Sequence, residues 1–240
     1  MSTTDISSMN YWYPRIKDLG VPTPKTEIPV TKNFWTWIEI LDGKDPLSEE
    51  EKQQIRDAAI AVGGYPVFMR TDLCSGKHDY DRTCFVKDER ALIRQIYALV
   101  ENNAMHDLIF ESLAIREYIE PAFEFKAFNG LPIAPERRYF VRDGEVVCRH
   151  PYWPEDSIHF WGNYRNAPED WKSRLAEMNM QTGIEVMRLT EWSEIIAREL
   201  DGEWSIDYML GRSAGWTMID MAEAHKSFHP KCEAWSGRRR

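Results

Sequence analysis

The stretch 204–222, WSIDYMLGRSAGWTMIDMA, decides how the chain is read. Two short apolar runs, WSIDYML and GWTMIDMA, each carry an aspartate and flank a glycine-bearing turn, so they read as paired strands of one hairpin. Asp207 and Asp220 lie 13 residues apart (220 − 207). On adjacent strands their carboxylates can converge on one face, which like charges resist unless a cation or a proton intervenes. Magnesium is the natural cation, because it prefers oxygen ligands and commonly takes one or two protein carboxylates. The plainer reading makes one a solvated strand-end residue and the other a turn or helix cap. On the metal reading, amidating either aspartate relieves repulsion in the protein without metal.

Composition bounds the rest. A chain of 240 residues with 43% hydrophobic content and 10 tryptophans can bury the core of one large domain or of two joined subdomains. Its 39 acidic against 30 basic residues, a net charge of -9, argue against a general nucleic-acid or anionic-membrane surface. No apolar run approaches the roughly 20 residues of a membrane span. The opening MSTTDISSMNYWYP lacks the basic and apolar regions of a signal peptide, so a soluble, cytoplasmic protein is expected. Cys74, Cys84, Cys148 and Cys232 are scattered without a CxxC pair, which indicates neither a disulfide framework nor a zinc ribbon. His225 and His229 have i, i+4 spacing, but no glutamate or third ligand is placed as in HExxH. The three terminal arginines read as a solvated tail.

Periodicity and punctuation divide the chain into three. Residues 1–47, rich in Pro, Thr and Trp, predict an irregular amino-terminal arm. Residues 48–115 predict a small α/β lobe: a capping box at Ser48–Glu51 opens a helix to Val62, YPVFMR and TCFVK read as strands around a polar loop, and a second helix begins near Asp88. Residues 116–240 predict an antiparallel-sheet lobe with strands at REYIEP, FEFKAF and RRYFVRDGEVVCRH, the last folding on Asp143-Gly144, and helical spacing over 168–200. The fold class is α+β.

The series PVFMRTDLCSGKHDY, REYIEP, ERRYFVRDGEVV and WSIDYML...GWTMIDMA resembles, in order and approximate spacing, the ATP-grasp ligase superfamily. The likeness covers residues 60 to 230 and is strongest to the compact branch that includes the assembly chaperone of eukaryotic translation initiation factor two and small viral and bacterial members. It implies an ATP-grasp-like fold of two α+β subdomains with nucleotide between them, and ATP and Mg2+ as cofactors. It also implies roles by position. Arg70 ends the strand where the family places a cation on the nucleotide phosphates; lysine is commoner there, and arginine keeps the charge while adding a planar fork. The loop Thr71–Tyr80 takes the place of a flexible lid, and Lys77 either adds a second cation or is a solvated loop charge. The backbone of Glu117, Tyr118 and Ile119 would meet the adenine edge. Glu124 or Glu120 would take the ribose hydroxyls, unless these acids simply face water. Glu136 and Arg138 match a Glu-x-Arg strand signature with Arg137 on the opposite face. Arg138, like Arg70, would act catalytically on the transferred phosphoryl group; otherwise Glu136 and Arg138 are a surface pair. Asp207 and Asp220 match the metal-binding acids. Many members add an asparagine two residues after the second acid, where this sequence has Ala222, followed by Glu223.

The reaction so implied joins a carboxylate to an amine at the expense of ATP, through an acyl phosphate. The alternative is a nucleotide-binding module that grips a protein partner without turnover. The substrates are not legible. Tyr11, Trp12, Tyr13, Trp35, Trp37 and the segment HPYWPEDSIHFWGNY are aromatic enough for a recognition surface, though core is the expected fate of most of them.

Overall fold

A computed structural model describes residues 5–159 and 163–236. The terminal arginines, and Phe160 to Gly162 of the aromatic segment, lie outside the described residues. The chain forms two compact units, one made of Met1–Thr23, Glu120–Lys126 and Pro132–Arg240, the other of Pro24–Ile119 and Ala127–Leu131. The arm is not irregular. It holds helix α1 (Met9–Ile16), strand β1 (Thr26–Thr31) and helix α2 (Phe34–Trp37). The apolar residues of the arm have no single period, so they conceal three short elements whose caps are local: Ser8 caps α1 and Asn33 caps α2.

In the second unit the sheet order is β1-β4-β2-β3, where β2 is Val67–Thr71, β3 Phe85–Val86 and β4 Ser112–Glu117, all antiparallel. Helices α3 (Glu49–Ala61) and α4 (Glu89–Met105) bury Ile55, Ala59, Leu92, Ile96 and Leu99 in one core with Val67, Met69, Leu113 and Ile115 of the sheet. Alternation therefore puts Phe68, Arg70, Ala114 and Arg116 on the opposite face. The Ser48–Glu51 capping box opens α3, and Asp88 caps α4.

After the ribbon of β5 (Phe125–Ala127) and β6 (Leu131–Ile133), the first unit builds a second antiparallel sheet. Its order is β10-β9-β7-β8, with β7 Glu136–Arg142, β8 Glu145–Pro151, β9 Glu203–Gly211 and β10 Gly215–Glu223. Asp143 and Gly144 both take positive φ, 52° and 80°, in the β7–β8 turn, as a tight two-residue hairpin requires. Among the described residues, three α-helices separate β8 from β9: α5 (Glu155–His159), α6 (Trp171–Met178) and α7 (Gly183–Ala197). Helix α7 packs on β7, β8 and β9, and its Ser193 hydroxyl pairs with the buried Tyr208 hydroxyl at 3.0 Å. A last helix, α8, spans Glu233–Ser236. Among the described residues, no helix is long and apolar enough to cross a membrane.

Candidate functional site

The acid pair belongs to a row of side chains that crosses all four strands of the first unit's sheet. Arg138 on β7 is the register partner of His150 on β8 and of Asp207 on β9, and Asp207 is the partner of Asp220 on β10. Directly opposed residues share a face, so His150, Arg138, Asp207 and Asp220 line up on the side away from α7. A register shift between Met218 and Asp220, with Ile219 as the extra residue, brings Asp220 into the row.

Arg138 grips Asp207 with both arms of its fork: Nε donates to Oδ1 and Nη2 to Oδ2, each at 2.7 Å. Their side chains are only 14% and 6% exposed. Nη1 donates to the Phe228 carbonyl at 3.2 Å, and the guanidinium lies 4.5 Å over the Tyr152 ring. Burial works against the Arg138 charge, but Asp207 above all, then Tyr152 and Asp220, outweigh it, so the guanidinium loses its proton less readily than an ordinary arginine. A buried carboxylate is thus compensated from within the protein, by a residue the sequence analysis assigned to the phosphoryl group. Asp220 is half-buried, and its Oδ1 accepts from the Met221 amide at 2.9 Å. Glu223 is held elsewhere: it accepts from the Ser7 hydroxyl at 3.1 Å and pairs with Lys226 at 3.0 Å.

Asp207 and Asp220 supply hard carboxylate oxygens, a donor set that fits magnesium. The Arg138 fork uses one lone pair on each Asp207 oxygen and leaves the others for a ligand. The remaining predicted residues of this unit divide. Glu136 is buried on the interior strand β7 and accepts from the buried Trp153 indole at 3.0 Å. Glu124 is exposed, its carbonyl accepting from Arg174 at 3.4 Å, and Glu120 pairs with Arg212 at 3.2 Å. Arg137 does point to the other face, as alternation requires, but its importance was not foreseen. Only 1% exposed, it pairs with Glu185 of α7 at 2.6 Å and donates to the carbonyls of Glu136, Met178 and Met180. Its place between Glu136 and Arg138 in an alternating strand was the available signal.

In the second unit, Arg70 is the penultimate residue of β2, buried, with Nε donating to the Thr71 carbonyl at 3.0 Å. The Thr71–Tyr80 loop is tied down along its length. Thr71 Oγ1 bonds Asn103 at 2.8 Å and takes the Cys74 amide at 3.0 Å, while the Thr83 hydroxyl reaches the Gly76 and Asp79 carbonyls, both at 2.9 Å. Asp72 Oδ1 accepts the amides of Glu111 and Ser112 at 3.0 and 2.9 Å. Lys77 is half-buried and begins a single 3-10 turn, Lys77–Asp79. Tyr118 bonds the Tyr80 hydroxyl at 3.1 Å, while the Glu117 amide is taken by the Lys25 carbonyl at 2.8 Å. Among Glu117, Tyr118 and Ile119, the Glu117 amide is therefore already engaged. Of the aromatic candidates, Trp12, Trp37 and Trp153 are core, whereas Trp35 is 72% exposed.

No family model and no curated protein matches this sequence. Solved structures do. Cdc123 from Schizosaccharomyces pombe, C-terminally truncated, superposes with a TM-score of 0.54 at 14% identity over 90% of this chain and 83% of its own. The biotin carboxylase domain of the 2-oxoglutarate carboxylase of Hydrogenobacter thermophilus, in complex with MgADP and bicarbonate, matches at 0.54 and 14% over 95% of this chain and 41% of its own. The biotin carboxylase of Campylobacter jejuni, as a β-γ-ATP complex, matches at 0.53 and 13% over 95% and 41%. The chain has the ATP-grasp fold, in the α+β form expected.

Proposed function

We propose that the protein binds magnesium ATP through Asp207 and Asp220 and uses it to join a carboxylate to an amine. The observation that supports this most is the cross-strand row: two carboxylates opposed on β9 and β10, with a guanidinium already fixed beside them. Bound ATP would supply the activating phosphoryl group. The chain's own task is positioning and charge neutralisation, since phosphoryl transfer needs little covalent help from side chains. Arg138, anchored at three acceptors, holds its charge in one place without waiting for a ligand, and Asp220 offers the second carboxylate. In the second unit, Arg70 and Lys77 are the proposed phosphate cations, and Tyr118 with its flanking backbone the proposed base contact.

A second reading, nucleotide binding that serves protein assembly without turnover, is favoured by one specific feature. Ala222 offers no donor, and Glu223 is engaged with Ser7 and Lys226, so two carboxylates make up the ligand set and one of them is shared with Arg138. Titration calorimetry with magnesium ATP tests what the two readings share: Asp220→Asn is expected to weaken binding at least tenfold. Unaltered affinity would overturn both. ADP release that rises with added carboxylate and amine pools selects the ligase; release indifferent to them selects the binder.

A further inference from the structure

Cys148 and His150 are two residues apart on β8 and face the same side as their partners Phe140 and Arg138. The chain returns to that side after β10. Ser227 Oγ lies 2.5 Å from Ser205 Oγ, the Phe228 carbonyl accepts from Arg138, and the His229 ring meets Phe140 edge-on at 4.3 Å. This path delivers His229 and Cys232 onto β8. One ligating atom from each of Cys148, His150, His229 and Cys232 lies within 4.8 Å of the other three. The sulfurs of Cys148 and Cys232 stand 3.1 and 3.6 Å from the same atom, His229 Nε2. The rings of His150 and His229 are 4.9 Å apart and nearly perpendicular, at 86°. Around tetrahedral zinc, with bonds of about 2.3 Å to sulfur and about 2.0–2.1 Å to nitrogen, neighbouring ligand atoms are roughly 3.3–3.8 Å apart. The four groups are already gathered on that scale.

A second observation points to an ion. His150 Nε2 is buried without a hydrogen-bond partner, and a buried polar atom of this kind calls for a specific explanation. Two sulfurs and two imidazoles are a soft set, suited to zinc and not to the magnesium of the acid pair. Phe140 and Trp235 enclose it, with ring centres 4.3 and 5.4 Å from that of His229, and Arg142 lies 4.6 Å over the Trp235 ring.

We propose that Cys148, His150, His229 and Cys232 form a structural zinc site that fastens the segment after β10 to the edge strand β8. Each thiol loses its proton to solvent on binding, so two thiolates balance the dication and the site is neutral. The fastening also steadies Arg138, because the carbonyl it donates to belongs to Phe228, next to the ligand His229.

The test needs no nucleotide and is separate from the fate of the proposed ligase. The full chain, made without a histidine tag and dialysed against a weak chelator, is expected to retain one zinc per chain by elemental analysis. Cys148→Ser and Cys232→Ser should lose it, and Cys74→Ser, in the other unit, should keep it. Should the serine variants fail to fold, cobalt(II) added to stripped wild-type protein still decides: intense visible bands of tetrahedral cobalt, with sulfur-to-cobalt charge transfer, are expected. Octahedral cobalt spectra with no retained zinc would overturn the proposal. So would a thiol count showing Cys148 and Cys232 joined as a disulfide in protein that was never metal-loaded.

Discussion

Replacing Asp207 with asparagine tests what holds the acid row together. The sequence alone suggests that losing either aspartate relieves repulsion and stabilises the protein; the structure reverses this for Asp207. Its carboxylate receives two charge-assisted hydrogen bonds from Arg138, both 2.7 Å, in surroundings that leave 6% of the aspartate side chain exposed. Breaking a buried pair by removing one partner costs about 3–5 kcal/mol, and a hydrogen bond to a charged group contributes about 1.5–3 kcal/mol. Asparagine keeps one oxygen for one arm of the fork, so Asp207→Asn should cost about 2–3 kcal/mol. Arg138→Ala, which strands the carboxylate, should reach about 3–5 kcal/mol. For a chain of this size each kcal/mol lowers Tm by about 2–4 °C, so the asparagine variant should melt about 4–12 °C early. Asp220→Asn, at a half-buried carboxylate outside the Arg138 fork, should cost less than Asp207→Asn. Urea and thermal unfolding at pH 7 without nucleotide, read by tryptophan fluorescence, supply the numbers. An Arg138→Met, Asp207→Leu double variant, measured beside Arg138→Met and Asp207→Leu singly, forms a cycle and should lose at least about 2 kcal/mol less than the sum of those singles. An asparagine variant as stable as wild type, or an additive cycle, would show that the fork contributes nothing and that the row is held by backbone register alone.

Arg137→Ala should cost about 3–5 kcal/mol, since it strands Glu185 of α7 and leaves the carbonyls of Glu136, Met178 and Met180 without this donor; denaturant titration measures it, and a loss under 1 kcal/mol would contradict the described burial. Burial pushes the Glu51 carboxyl up, but Lys32 at 2.6 Å and the Ser48 amide and hydroxyl pull it further down, to a net value below the ordinary 4.5. Its contribution is therefore complete above that ordinary value and is lost as pH falls through the lower folded value, so the stability gap between wild type and Glu51→Gln should be flat from pH 6 to 8 and close in acid. The amides of Asp72, bonded to Ser112, and of Cys74, bonded to Thr71, should already exchange slowly without nucleotide; rapid exchange there would restore the picture of an open lid. Gly76→Ala should destabilise by about 1–2 kcal/mol, because φ is +62° and the new Cβ would lie 2.9 Å from Asn102 Oδ1.

Elements with a clear period and a clear stop were legible from sequence. Helix α3 announced itself by its capping box, the β7–β8 hairpin by Asp143-Gly144, and the β9–β10 hairpin by two apolar runs around a glycine turn. Strand β1 was not legible, because TEIPVT contains a proline and pairs only along one edge with β4, whose partner residues lie 81 to 90 positions later in the chain (112 − 31 and 116 − 26). The strand quoted as REYIEP in fact begins at Ser112 and ends at Glu117: its buried residues precede the acids that drew attention. For the site, the opposition of Asp207 and Asp220 could be read from the pattern, but the partner of Asp207 could not, since a charge at position 138 carries no mark of which strand it will face. The Cys148, His150, His229 and Cys232 cluster escaped for the same reason. A search for CxxC and HExxH motifs passes over CxH on one strand and HxxC in the segment before α8, which only the fold unites.

The register shift in β10 has a consequence for arithmetic. Around the turn that follows Gly211, opposed residues are separated by even numbers, 4 for Gly211 and Gly215 and 10 for Tyr208 and Met218. Ile219 changes the parity, and from there on opposed residues differ by odd numbers, including the 13 between the aspartates. An odd interval between two acids on such a hairpin is therefore a countable trace of a bulge, visible before any coordinates exist. Deleting Ile219 would restore even parity, pair the remaining strand without interruption and, with the acids then 12 apart (13 − 1), keep them opposed on a straighter ribbon. Keeping the sequence but shifting the bulge past Asp220 would instead set Ile219 opposite Asp207 and turn Asp220 to the other face of the sheet. What has to be conserved when comparing such hairpins is the parity of the interval together with the place of the bulge, and a fixed spacing is the wrong quantity to align.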